Sequence, residues 1–207
     1  MIIKRLTEIA VSAFIVAATC QATVVYSAPP DNIGGSDMNA SLVADTFTLP
    51  SPIEIYAVRF WAIQDDVTSY TGSIFWSLYF DASGLPGSVI ASGTSTPDAV
   101  ATGVQVAGLN EFVYDFPIDV VLSGSGTYWM ALHNGPTSTI PATDMFWETS
   151  NANSGNSQTM DLSLPSQPWV NNSTSLAFEL ATPEPGTWVL VATGLLGGFL
   201  IRRRKAA

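Results

Sequence analysis

The chain has 207 residues, 47% of them hydrophobic, a single cysteine and a formal charge of −10. Fifteen of its seventeen acidic residues, all but Glu8 and Glu184, lie between positions 29 and 182, where Arg59 is the only basic side chain. That balance excludes nucleic acid as a partner, because displacing backbone counterions takes Lys and Arg, and a lone Cys20 near the N-terminus excludes disulfides within the chain.

Residues 1–27 read as a secretory signal peptide. Lys4 and Arg5 form a positive start, Ile9 to Thr19 an apolar stretch, and small residues follow. Two cleavage points fit the small-x-small pattern: after Cys20-Gln21-Ala22, and after Val25-Tyr26-Ser27. Thr19 stands where a lipobox needs Gly, Ala or Ser, which argues against a lipoprotein. Residues 28–40 (APPDNIGGSDMNA) carry Pro, Gly and Asp without periodicity and are expected to be a linker.

Residues 41–181 are expected to fold as an all-β domain, a jelly-roll-like β-sandwich. The run Ile53–Ile63 is apolar on both faces, as a central strand would be. Ile74, Trp76, Leu78 and Phe80 form one period-two stripe. Phe112, Tyr114, Phe116, Ile118, Val120 and Leu122 form a second, with Pro117 on its outward face, marking an edge strand or a bulge. Tyr128, Met130 and Leu132 make a third, and Leu176, Phe178 and Leu180 a fourth. Gly- and Pro-rich turns at 81–87, 123–126 and 133–136 divide them.

Aromatic faces can stack on sugar rings, so the tryptophans are the candidate ligand residues. Trp61 and Trp76 lie within apolar stripes and are expected to be core residues. Trp129 lies opposite its strand's apolar face, and Trp147 and Trp169 stand beside polar residues. These three are therefore the candidate carbohydrate contacts. Asp65, Asp66, Asp81 and Asp144 are the carboxylates that a structural calcium ion could use. No D-x-D-x-D-G loop surrounds them, and Asp81 reads first as a turn residue. His133 is the only histidine and has no G-x-S-x-G partner, so a hydrolytic triad is not expected. No cofactor is called for. A glycan hydrolase would need two carboxylates facing one cleft, and the sequence singles out no pair.

Residues 182–207 form a distinct tail. Pro183-Glu184-Pro185 precedes the apolar stretch Thr187–Ile201, and Arg202, Arg203, Arg204 and Lys205 follow. A helix of that stretch would be roughly 22 Å long, against a hydrocarbon core of about 30 Å. It is expected to be a single short transmembrane helix, with the arginines held on the cytoplasmic side. Pro-Glu-Pro then lies outside the membrane in extended backbone, the form in which processing enzymes take peptides. These three features in this order resemble the PEP-CTERM sorting signal. The resemblance implies that an exosortase, a membrane-embedded cysteine enzyme, recognises Glu184 and its flanking prolines. It would cut there and pass the protein to the cell surface or extracellular matrix of a Gram-negative, exopolysaccharide-making bacterium. The segments IYAVRFWAI, YFDASGLPG, GTYWMALHNG, MFWETS and SLAFEL are similar to β-sandwich domains found on such proteins. The expected function is therefore that of an exported, non-catalytic surface or biofilm-matrix protein. Its partners would be exosortase and, before processing, the inner membrane. The alternative is a module that binds exopolysaccharide.

Overall fold

The structure, a computed structural model, describes residues 22–152, 155–164 and 167–183. The leader residues 1–21 and the tail from Glu184 onward, including Pro185 and the Arg202–Lys205 cluster, lie outside the described residues.

Alternation of apolar and polar side chains, with little helix-forming composition, gives strands almost throughout. In chain order they are β1 (Thr23–Ala28), β2 (Pro30–Asp37), β3 (Ser41–Leu49), β4 (Ile53–Gln64), β5 (Ile74–Asp81), β6 (Pro86–Ser95) and β7 (Ala99–Val106). Then come β8 (Leu109–Leu122), β9 (Gly126–Asn134), β10 (Met145–Ser150), β11 (Gln158–Asp161), β12 (Val170–Asn171), β13 (Ser175–Leu176) and β14 (Phe178–Thr182). Among the described residues one 3₁₀ turn, Val67–Ser69, is capped by Asp66, whose side chain accepts from Thr68 N.

The strands make two antiparallel sheets. One has six strands in the order β12-β11-β3-β9-β5-β6. The other has eight and is organised by β4. One edge of β4 pairs with β8 along its length, and the other pairs first with β14 and then with β10. β1 lies outside β14, β7 outside β8, and β2 and β13 both pair with β10. The β4–β8 register shifts between Ile55 and Ala57, opposite Pro117. β7 reaches along β8 only as far as Tyr114, so the proline stands at a bulge where its missing N–H costs no ladder bond.

The facing apolar sides form one core. Val43, Phe47 and Leu49 of β3 and Tyr128, Met130 and Leu132 of β9 meet Val58 and Phe60 of β4 and Phe178 and Leu180 of β14. Phe80 keeps its place in the stripe, with its ring 6.1 Å from that of Tyr128, but near the end of β5 it is 47% exposed. The outer face of the six-stranded sheet has a smaller cluster of its own. There Leu42, Ala44, Tyr79, Trp129 and Ala131 are covered by Met160, Leu162 and Trp169.

Two expected boundaries need correction. Residues 28–40 are not a linker, because Pro30–Asp37 pairs with β10. Residues 23–27, placed with the leader, form most of β1. β2 binds mainly through backbone groups, so it needs no apolar alternation, whereas β1 also packs Val25 and Tyr26 against the core.

Candidate functional site

The C-terminal strand is where the fold meets the tail. β14 is flanked on both sides, with Phe178–Ala181 on β4 and Phe178–Thr182 on β1. Side chains fix that register on the outer face. Arg59 on β4 holds Asp115 on β8 through two bonds, at 2.7 and 3.1 Å, and reaches Glu179 on β14 at 3.8 Å. Ser27 Oγ on β1 donates to Glu179 at 2.8 Å. The only basic residue between positions 29 and 182 thus ties three strands, and Glu179 carries the row to a fourth. Pro183 follows the last residue of β14 directly.

A second feature is a groove of about 400 Å³ on the outer face of the six-stranded sheet. Thr46 and Thr48 of β3, Thr127 and Trp129 of β9, Asp81 and Asn156 line it. Trp129 is fully buried in its floor, and its Nε1 donates to Asp81 Oδ1 at 2.9 Å. Asp81 also accepts from Gly84 N at 3.1 Å, the turn role read from the sequence. Thr48 and Thr127 hydroxyls stand 3.3 Å apart at the rim.

The three candidate tryptophans are not grouped. Trp147 is fully buried in the main core, edge-on to Phe60 and Phe178, and its Nε1 donates to Ala177 O at 2.8 Å. It presents no face to solvent and is withdrawn as a ligand contact. Trp129 presents no stacking face either, because it is fully buried within the outer cluster. Trp169 is half-buried, packs edge-on against Tyr79 at 5.9 Å and helps to cover Trp129. The carboxylates are likewise apart. Asp66 caps the 3₁₀ turn, Asp65 lends its carbonyl to Asn110 Nδ2, Asp81 holds Trp129, and Asp144 is exposed. Among the described residues no three acidic, histidine or cysteine side chains gather around a common point. His133 is buried, with its two ring nitrogens against the carbonyl oxygens of Gly135 and Asn39.

Three buried acids, Asp45, Glu111 and Glu148, escaped the sequence reading. Asp45 sits in phase with Val43, Phe47 and Leu49 and points between the sheets. It accepts from Leu176 N and Thr46 N, each at 2.7 Å, so it joins the sheets by hydrogen bond. Burial outweighs those two bonds and pushes its carboxyl up to about 7. Its place in an apolar alternation was the signal available in the sequence. Glu148 of β10 has no exposed surface, and Asn32 N donates to its Oε1 at 3.2 Å. Its Oε2 meets no donor, and the Glu111 carboxyl lies against it. Burial first, and then that like-charged neighbour, hold Glu148 well above the usual carboxylate range. Two acceptors in contact are satisfied when they share a proton. No local sequence signal pairs residues 37 positions apart.

The family-model comparison matches residues 181–205 to the PEP-CTERM protein-sorting motif. The tail is a PEP-CTERM sorting motif. It begins within β14 at Ala181 and runs to Lys205, so the motif shares its first two residues with the folded domain. The PEP-CTERM motif marks an exported, membrane-anchored precursor that exosortase processes. No curated protein matches the chain. A solved structure with similarity is that of the cysteine protease and lectin-like domains of Cwp84, a surface layer associated protein of Clostridium difficile. It is 14% identical with a TM-score of 0.39, over 70% of this chain. The chain spans about a third of that structure's length, 32%.

Proposed function

We propose that the folded domain is a non-catalytic component of the cell surface or extracellular matrix of a Gram-negative bacterium, delivered there through its PEP-CTERM tail. The observation that carries this reading is the seam between tail and fold. The motif begins inside a strand held between β4 and β1, so a cut at Pro-Glu-Pro releases the intact sandwich with almost no spacer. Any group joined there would hold the domain by a core strand, as a load-bearing surface part requires. The paired acids Glu111 and Glu148 do not favour a glycan hydrolase, because both are buried rather than set across an open cleft. Glu184 is the recognised centre of the motif. Glu184→Ala should leave the full-length precursor in the inner membrane, with the cut form reduced at least tenfold on immunoblots of fractionated cells. Unchanged processing would sink the assignment.

One observation favours a second reading, exopolysaccharide binding. The groove over Trp129 gathers threonine hydroxyls, the Asp81 carboxylate and Asn156, a lining suited to sugar hydroxyls. Hydrogen bonding rather than stacking would carry recognition there. Calorimetry with the host's exopolysaccharide should then show saturable binding that weakens at least tenfold in Thr127→Val. Heat signals that never saturate would leave the domain as structure alone.

A further inference from the structure

We infer that the leader is removed by hydrolysis of the Ala22–Thr23 peptide bond, making Thr23 the first residue of the mature protein. This rests on the export reading above. In the reaction water adds across the amide, leaving a carboxylate on Ala22 and a free amino group on Thr23. The sequence admits a second site, after Ser27, with equal claim to small residues at the −1 and −3 positions. The fold separates the two.

β1 belongs to the domain. Five of its residues are in register with β14, from Thr23 opposite Thr182 to Ala28 opposite Phe178. Tyr26 packs its ring 4.7 Å from that of Phe178 and 5.9 Å from that of Phe47, both of them core residues, and its hydroxyl donates to Thr46 O on the other sheet. Ser27 bonds Glu179, and Ala28 is fully buried. A cut after Ser27 would delete all of this except Ala28. It would open the core beside Phe47 and leave β14 as a bare edge, with unpaired backbone groups next to the sorting motif. A cut after Ala22 leaves every one of these contacts in place. Ala22 is exposed and precedes the strand, and Cys20 and Ala22 directly follow the apolar stretch.

The assignment also relates the two processing events. Thr23 and Thr182 are partners across the β1–β14 ladder, so the first and last strands of the folded domain end together. Both cuts fall flush with that end, and the mature domain is bounded by the ladder itself.

The test is to express the full-length chain, with its own leader and tail, in an exosortase-bearing Gram-negative host. The N-terminus of the exported protein is then read by Edman degradation. Thr23 is expected in the bulk of the material. Ala22→Leu should reduce that terminus at least tenfold, whereas Ser27→Leu, at an exposed position, should leave it in place. A mature chain beginning at Ala28 would overturn the assignment while leaving the sorting reading intact. A chain still carrying Met1 would overturn both.

Discussion

Trp147 is held by two strands and by the joint that precedes one of them. Phe60 of β4 and Phe178 of β14 meet the indole edge-on, at 6.2 and 5.6 Å. The carbonyl of Ala177, at the joint between β13 and β14, accepts from its Nε1. The joint matters because Ala177 also donates to Glu148 O and accepts from Trp61 N. Trp147→Ala removes the largest side chain at this crossing and should cost about 3–5 kcal/mol. Trp147→Phe keeps most of the volume and loses one hydrogen bond from a carbonyl that retains another, so it should cost about 1–2 kcal/mol. Urea unfolding of the exported protein checks both, with the midpoint moving and the slope unchanged. Equal losses for the two variants would mean that the bond, not the packing, is what the indole supplies.

At the scale of strands, β2 is the element most exposed to a small change. Gly35 lies opposite Glu148, and a β-carbon there would stand 2.7 Å from Phe146 Cβ and 2.9 Å from Trp147 O. Neither atom can swing away, because one is backbone and the other is fixed to it. Gly35→Ala should therefore push β2 off β10 at a cost of about 1–3 kcal/mol. It should also free the Asn32 amide from Glu148, seen as faster hydrogen exchange at Asn32 with the core of β4 still protected. Exchange unchanged at Asn32 would show that β2 is not seated by this contact. The same strand marks the limit of the sequence reading. β5, β8, β9 and β14 were legible because an apolar face writes a period of two into the residues, and β4 because Ile53–Ile63 reads as apolar on both faces. PDNIGGSD carries no such record, since β2 contributes backbone bonds and a glycine-tight approach. β1 was hidden differently: TVVYSA follows the apolar leader without a break and is apolar enough to pass as its end. Trp129 was placed correctly off the core stripe. Its cover comes from Met160, Leu162 and Trp169, about thirty to forty positions away, and nothing local announces it.

For the molecule as a whole, the buried acids set how stability responds to pH. Asp45 is ordinarily a carboxyl of 3.8 and is held at about 7 in the fold. Between those values the folded state keeps a proton that the unfolded chain releases. Stability must then fall as pH rises from about 4 to about 7, and this group adds no further change above that. Glu148, held up by burial and by Glu111, acts in the same direction. The surface pair Arg59–Asp115 does not offset them, because exposed ion pairs contribute about 0–1 kcal/mol. The acidic domain should therefore melt at a higher temperature at pH 5 than at pH 8, opposite to a protein stabilised by paired carboxylates. Asp45→Asn retains an acceptor oxygen for Leu176 N but has no proton to lose. It should flatten the pH 5 to 8 slope by on the order of 2–4 kcal/mol. Thermal melts of both proteins across that range decide the matter. A parallel slope in Asp45→Asn would assign the dependence to Glu148, and a rising slope in the parent would show that the acid between the sheets is held ionised by its two backbone donors.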